Sequence, residues 1–415
     1  MAAAFLSLAV CLCLVAELRP VTSDHDPDFS PYYKSTMQMA VEAGINATRH
    51  EVRTEDGYWL TLHRVGTSRG TPILLLHGLL GSSDQWLLLT RQQSLPMLLT
   101  DAGYDVWLGN LRGNVYSRRH DILSPDIDYQ FWNFSLHEMS YYDLPAMLDH
   151  ITASTGHSRV FYCGYSIGGT LFLMMAASRP QYNTRVQAAY LLAPLVVRPG
   201  ALLGGPAVYR MAFEFLYAFV RLLKDYQVGE FYPRQAEMLK VKEEACAPTA
   251  QTFPLCVRIL QKPFGLMSSE YDITKLVEFL KSFGSGTSTK VIEHTIQLVQ
   301  TGRFQQFDHG HLDNLAVYGA TKPPEYDLTR VSTPTVIHYD KNDILIDYKA
   351  VDLAAKKLPC LVCNCLSNRE GFSHFGYVIS RYAATFVYKK MIKSMRLLED
   401  KRVRLRSLSS KCYKS

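Results

Sequence analysis

Ser166 stands in Gly164-Tyr165-Ser166-Ile167-Gly168, after the β-forming run Val160-Phe161-Tyr162-Cys163 and before a helix-forming segment with Leu171, Leu173, Met174 and Met175. That context puts the serine on a sharp strand-to-helix turn, where its hydroxyl can act as a nucleophile. Such a turn holds the serine backbone in a strained conformation, and glycines on both sides let strand and helix approach each other. A serine that merely caps a helix needs no such flanking glycines. The pattern by itself is weak evidence, because Gly66-Thr67-Ser68-Arg69-Gly70 also matches it. No helix-forming segment follows Ser68, so that copy reads as a surface turn.

A serine nucleophile needs a base for its proton, a carboxylate to orient the base, and donors for the oxyanion that develops. These groups come from loops at the C-terminal ends of strands. His374, in Gly371-Phe372-Ser373-His374-Phe375-Gly376, follows the last predicted strand, and Asp343, in Lys341-Asn342-Asp343-Ile344, follows the strand before it. Asp347 is close enough to rival Asp343 as the carboxylate. The backbone N–H groups of Ile167, just after the serine, and of Leu79, just after His77-Gly78, are the candidate oxyanion donors. Ser166, Asp343, His374 is the chain order that such triads take when the serine sits on a strand-turn-helix corner. His77 and His338 read as structural histidines.

The elements that must position these groups follow from patterning. Glu51 to Val65 predicts two strands about a Glu55-Asp56-Gly57 turn. Thr71 to Gly78 is a continuous apolar run, as in a parallel strand buried on both faces. Gly103 to Gly109 is another short strand. Ser135-Leu136-His137-Glu138 is a capping box opening a helix through Met139, Leu144, Met147 and Ile151. A strand over Val186 to Pro194 follows the serine helix. From Leu202 to about Tyr326 the pattern is mostly helical, with no alternation of strands and helices. Strands return at Thr333–Tyr339 and Leu361–Leu366, with a helix near Tyr348–Lys357 between them and a closing helix from Phe375. Alternating strands and helices imply a mostly parallel sheet flanked by helices, and the helical interlude implies an insertion over one end of it. No internal repeat is present.

With 415 residues, 47% of them hydrophobic, the chain can bury a large core. Ala2 to Ala16 is almost wholly apolar and precedes Val21-Thr22-Ser23, which reads as a secretory signal over residues 1–23. The run is shorter than a spanning helix needs. Removing Cys11 and Cys13 with the signal leaves seven of nine cysteines, so at least one is unpaired. Cys163, on the strand before the serine, reads as a buried free thiol. Cys246 and Cys256 lie close together in a loop-rich segment and predict a disulfide. Cys360, Cys363 and Cys365 lack a second Cys or His pair at zinc spacing, and no metal or other cofactor is expected. Asn46-Ala47-Thr48 and Asn133-Phe134-Ser135 have the form of glycosylation acceptors. The net charge of +6 is concentrated in Lys389 to Ser415, and the slightly acidic remainder excludes a nucleic-acid-binding body. That basic end reads as a solvated helix end leading into a disordered stretch, with attraction to an anionic membrane surface as the sharper alternative.

Taken together, TEDGYWLTLHRV, LLLHGLLGSSDQW, DAGYDVWLGNLRGN, FWNFSLHEM, GYSIGGT, QFDHG, NDILID and GFSHFGYV make the chain resemble the animal acid lipases, the group of lysosomal acid lipase and gastric lipase, from about Glu51 to Ile392. The resemblance implies an α/β-hydrolase fold with core segments 24–196 and 327–395, a helical cap with its lid over 197–326, and a basic tail over 396–415. It implies Ser166 as nucleophile, Asp343 as orienting acid, His374 as base, and Leu79 and Ile167 as oxyanion donors. The expected activity is hydrolysis of neutral lipid esters, triacylglycerol or cholesteryl ester, at a lipid surface or micelle, in a secreted or lysosomal setting. A noncatalytic lipid carrier on the same fold, as in lipase-like yolk proteins, and an esterase for small soluble esters are the alternatives. Asp308-His309-Gly310-His311-Leu312-Asp313 looks like a metal cluster, but the resemblance makes it a loop returning from cap to core. Two departures stand out: Ile167 replaces the family's usual Gln after the serine, and Phe375-Gly376 replaces a common acidic residue after the histidine. Both leave backbone donation intact and bear on substrate preference.

Overall fold

The computed structural model describes residues 32–66, 69–200, 207–264 and 269–400. The expected signal (1–23), the Gly66–Gly70 copy of the serine pattern at Thr67 and Ser68, and the basic tail beyond Asp400 lie outside the described residues.

Eleven strands are described: β1 Ala47–Arg53, β2 Tyr58–Val65, β3 Pro72–Leu76, β4 Asp105–Gly109, β5 Arg119–His120, β6 Val160–Tyr165, β7 Val186–Leu192, β8 Glu230–Phe231, β9 Thr287–Ser288, β10 Thr335–Asp340 and β11 Leu361–Ser367. The main sheet runs β1-β2-β4-β3-β6-β7-β10-β11, with β5 on β2. β2 is antiparallel to β1 and β4, whereas β4, β3, β6, β7, β10 and β11 are parallel. The continuous apolar runs have their explanation here: every residue of β3, β4, β6 and β10 is buried, because a parallel sheet is covered on both faces. β6 is central, flanked by β3 and β7, so the turns after β3 and β6 emerge side by side.

The helix after β6, Ile167–Ser178, is buried over Ile167–Ala177, which accounts for its lack of a polar face. The capping box forms as the sequence predicts, with Glu138 Oε2 accepting from the Ser135 N–H at 2.6 Å. The helix it opens is not uniform, however. A wide turn spans Met139–Asp143 before the regular helix Leu144–Thr155. Pro145 has no N–H for the Tyr141 carbonyl, which accepts from Arg179 Nη1 at 2.9 Å instead. The predicted closing helix is likewise broken, into Gly376–Ile379, a wide turn Ala384–Tyr388, and Lys389–Glu399. Ser380 bridges to Tyr271 in between, and the Arg381 N–H donates to the Glu270 carbonyl.

Between β7 and β10 lie the helices Ala207–Asp225, Ala236–Cys246, Phe253–Phe264, Ile273–Ser282, Thr289–Thr301 and His311–Tyr318. The stretch is mostly helical, as its pattern predicts, and β8 and β9 also pair there as an antiparallel ribbon. At two residues each they are too short to leave a periodic signal. This segment joins the main core through residues such as Leu239, Leu276, Phe279 and Val291, and a second, small apolar cluster packs Leu80, on the loop after β3, with Val220, Leu223, Phe231, Ile292 and Ile296. Among the described residues, no helix is long and apolar enough to cross a membrane.

Candidate active site

Ser166 sits between β6 and its helix with φ 54° and ψ −121°, in the left-handed region that L-residues avoid. The glycines around it have concrete reasons. A Cβ on Gly164 would lie 2.5 Å from the Gly168 carbonyl carbon, and one on Gly168 would lie 2.7 Å from the Leu76 carbonyl oxygen. The Ser166 N–H is held by the Leu192 carbonyl at 2.8 Å. On the neighbouring β3, a Cβ on Gly78 would reach 2.9 Å from the Tyr165 ring and 3.1 Å from Ser166 Cβ, so the turn after β3 packs directly on the serine corner.

His374 and Asp343 meet although they are far apart in sequence. His374 Nδ1 donates to Asp343 Oδ2 at 2.8 Å. The other carboxylate oxygen accepts from the N–H groups of Leu345 at 2.8 Å and Ile346 at 3.0 Å. Both side chains are almost wholly buried. The imidazole lies against Tyr165, the residue before the serine, with ring centroids 5.1 Å apart, and against Phe375. With Nδ1 committed to the carboxylate, Nε2 is the nitrogen able to take a proton from a hydroxyl. Asp347 does a different job. It caps the helix Tyr348–Ala355 through the Lys349 N–H and pairs with Arg198 at 2.6 Å.

The N–H groups of Leu79 and Ile167 donate to no backbone carbonyl among the described residues. Ile167 is the first residue of its helix, where N–H groups are unpaired and the helix dipole favours negative charge. Leu79 belongs to the turn Gly78–Gly81, closed by the Gly81 N–H on the Gly78 carbonyl at 3.1 Å. The same carbonyl accepts from His77 Nδ1 at 2.8 Å, while His77 Nε2 accepts from the Leu111 N–H and Asn114 Nδ2. Burial lowers the His77 pKa to about 4, so it stays neutral in this tautomer and acts as a brace. Together these groups offer an activatable hydroxyl, an oriented imidazole and two unpaired N–H donors, which is the equipment for acyl transfer.

The remaining candidates are placed as follows. Cys246 and Cys256 form a disulfide with Cα atoms 5.5 Å apart. Cys363 and Cys365, whose pairing the sequence leaves open, are joined along β11, and Cys163 and Cys360 are free thiols. Cys163 is buried, and burial raises its thiol pKa. Asn46 and Asn133 are exposed. Asp308 Oδ1 accepts from the Gly310 N–H and from Asn314 Nδ2, which closes its loop. Sequence reasoning did not find Asp84 and Arg234, a buried ion pair at 2.8 Å next to the Leu79 turn. A buried aspartate two residues beyond Ser82 had no periodic signature, and Arg234 comes from the distant helical segment.

The model for the α/β-hydrolase fold matches residues 71–236, and that for a partial α/β-hydrolase lipase region matches residues 36–90. Lipase 1 of Drosophila melanogaster is 33% identical over 366 residues, covering 86% of this chain and 79% of its own. Triacylglycerol lipase 1 of Arabidopsis thaliana is 32% identical, covering 91% of this chain and 94% of its own. Human gastric triacylglycerol lipase is 32% identical over 378 residues, covering 88% and 91%. A solved structure from Sulfolobus solfataricus shares the fold at a TM-score of 0.56 and 14% identity, covering 86% of this chain and 95% of its own.

Proposed function

The chain belongs to the family of α/β-hydrolase lipases that includes the gastric triacylglycerol lipases, a family of carboxylic ester hydrolases, and from that premise we propose that it cleaves neutral lipid esters through Ser166, Asp343 and His374. The observation that carries this reading is the 2.8 Å bond from His374 to Asp343 beside a strained Ser166. In the first half-reaction Ser166 Oγ attacks the ester carbonyl carbon as His374 Nε2 takes its proton. The N–H groups of Leu79 and Ile167 hold the oxyanion, and the proton passes to the leaving alcohol. Water, activated by the same imidazole, then releases the fatty acid and restores Ser166.

Ser166, Asp343 and His374 are all at most 9% exposed, so an ester must displace part of what covers them. We assign residues 197–326 as a cap with a lid over the core segments 24–196 and 327–395. On the helix Ala207–Asp225 and the residue after it, Met211, Phe215, Leu222 and Tyr226 recur at helical spacing and are 44–74% exposed. The opposite face buries Val220 and Leu223 against Leu80. An amphipathic helix has no need of a second apolar stripe in water, so the outer one suits a lipid surface or micelle, which favours lipids over small soluble esters. Triacylglycerol and cholesteryl ester are the proposed substrates. A secreted or lysosomal setting is supported by the apolar N-terminal run, the Cys246–Cys256 disulfide and exposed acceptors at Asn46 and Asn133.

Release of fatty acid from radiolabelled triacylglycerol and cholesteryl ester emulsions, measured at acid and neutral pH for the wild type and Ser166→Ala, tests the proposal. The expected result is turnover in the wild type and none above background in the folded variant. Retained turnover in Ser166→Ala would refute the mechanism. Phe215→Ser should raise KM several-fold on emulsified long-chain ester and leave a short soluble ester unaffected.

A further inference from the structure

The turn carrying the Leu79 N–H is held under tension. Leu80 has φ 57°, a left-handed conformation that is unfavourable for a residue with a Cβ and persists only where its surroundings impose it. The restraints come from the helical segment. The Leu80 carbonyl accepts from the N–H groups of both Gly284 and Ser285 at 3.0 Å. Two residues further on, the loop enters a buried polar cluster centred on Asp84. One Asp84 oxygen accepts from Thr36 Oγ1 and Tyr116 OH, each at 2.6 Å. The other accepts from Ser82 Oγ at 2.7 Å and Arg234 Nη1 at 2.8 Å. Arg234 Nη2 donates to Ser285 Oγ at 2.6 Å and to the Ser282 carbonyl at 3.0 Å. The guanidinium also stacks over the Tyr33 ring at 4.5 Å.

Arg234 therefore grips both sides of the clamp: Asp84 on the loop after the turn, and Ser285, whose own N–H holds the Leu80 carbonyl. Asp84 and Arg234 are both buried. A buried ion pair is seldom a net source of stability, because desolvation offsets the attraction, and its well-attested use is to impose one geometry.

Building on the reading of Leu79 as an oxyanion donor, we infer that Arg234 is a positioning residue of the catalytic reaction: its bridge from Asp84 to Ser285 holds the Gly78–Gly81 turn in its strained form, so that the Leu79 N–H points at the place where the oxyanion develops. The donor is thus set by the helical segment as much as by the core. Opening of the site must leave Arg234 and Gly284–Ser285 seated, so the covering motion belongs to other parts of that segment.

Arg234→Gln and Ser285→Ala, made in the full chain, test this with a short soluble ester. A trifluoromethyl ketone of matching acyl length adds Ser166 as a hemiketal and places its oxyanion on the donors. Active serines are counted by phosphonate titration. Losing one oxyanion donor outright typically lowers kcat about 10²–10³-fold. A displaced donor should therefore lower kcat about 10–100-fold in Arg234→Gln, with KM within about twofold and the ketone Ki raised by the same factor as kcat falls. Ser285→Ala, which deletes one hydroxyl, should move kcat and Ki in the same directions by about three- to tenfold, and Arg234→Lys should recover part of the loss. If the ketone Ki stays at the wild-type value while activity falls only in proportion to titratable serine, Arg234 is structural and the inference fails. Should Arg234→Gln not fold, an unchanged Ki in Ser285→Ala overturns it equally. Failure of the functional reading looks different: the wild type would not react with phosphonate at Ser166.

Discussion

Asp343→Asn isolates the part of the proposed mechanism that depends on a single proton. In the wild type, Oδ1 accepts from the Leu345 and Ile346 N–H groups while Oδ2 accepts from His374 Nδ1. An asparagine must choose. If its oxygen stays with the two backbone donors, its NH₂ faces His374 Nδ1 and drives the imidazole to carry its proton on Nε2, where it cannot accept one from serine. If the amide flips to keep the correct tautomer, its NH₂ confronts the buried Ile346 N–H and the partly buried Leu345 N–H and leaves both without their acceptor. A buried group left this way costs about 1–3 kcal/mol, and a partly buried one less. The productive orientation is then disfavoured by about 2–4 kcal/mol, which at 1.36 kcal/mol per decade corresponds to a kcat loss between about 30-fold and 10³-fold. Steady-state hydrolysis of a short p-nitrophenyl ester measures this directly, with phosphonate titration to normalise for active protein. Asp347→Asn is the internal control. Asparagine caps a helix about as well as aspartate, and the Arg198 pair is partly exposed, so kcat should stay within about threefold. A larger loss in Asp347→Asn than in Asp343→Asn would refute the reasoning.

Three further outcomes are expected. Gly164→Ala places a Cβ 2.5–2.6 Å from backbone atoms of Gly168 and Gly169, so strand and helix must part by nearly an ångström; kcat should fall at least about 10²-fold, and an unchanged kcat would contradict the packing described. Lys242 turns its amine onto the carbonyls of Leu280 and Phe283, and its burial, aided by Arg234, lowers its pKa to about 7. The unfolded chain then binds the extra proton between about pH 7 and the ordinary lysine value, so this group makes stability rise with pH across that window, by up to about 1.4 kcal/mol per pH unit. In Tm measured from pH 6 to 10, Lys242→Met should flatten this rise, and an unaltered slope would remove Lys242 as its cause. Non-reducing peptide mapping should recover Cys246 linked to Cys256, and Cys256→Ser should lower Tm, with about 3 kcal/mol expected for a loop this short; two alkylated thiols at these positions would exclude the bridge.

Where physics is local, the sequence was enough to read. The serine corner is legible because the demand on Gly164 comes from backbone atoms of Gly168 and Gly169 less than 3 Å away, within the same short stretch, whereas the demand on Gly168 comes from Leu76 and His77 at the end of the neighbouring strand. The buried parallel strands are legible because a strand covered on both faces has no polar alternation to hide it. The capping box at Ser135 closes within three residues. Chain order narrowed the carboxylate to Asp343 or Asp347, but both follow the same strand, and nothing local separates them. The fold separates them by their partners, bringing β11 beside β10 so that the His374 loop reaches Asp343, while Arg198 from beyond β7 pairs with Asp347. The broken helices at Pro145 and Ser380 depend on partners, Arg179 and the Tyr271 region, that lie far away in sequence. The Asp84–Arg234 clamp is the extreme case, spanning 150 positions. Its members carry no periodicity and read in sequence as ordinary surface charges. Only burial, with each oxygen matched to a hydroxyl or guanidinium, distinguishes them, and burial is a property of the assembled sheet and its helical covering.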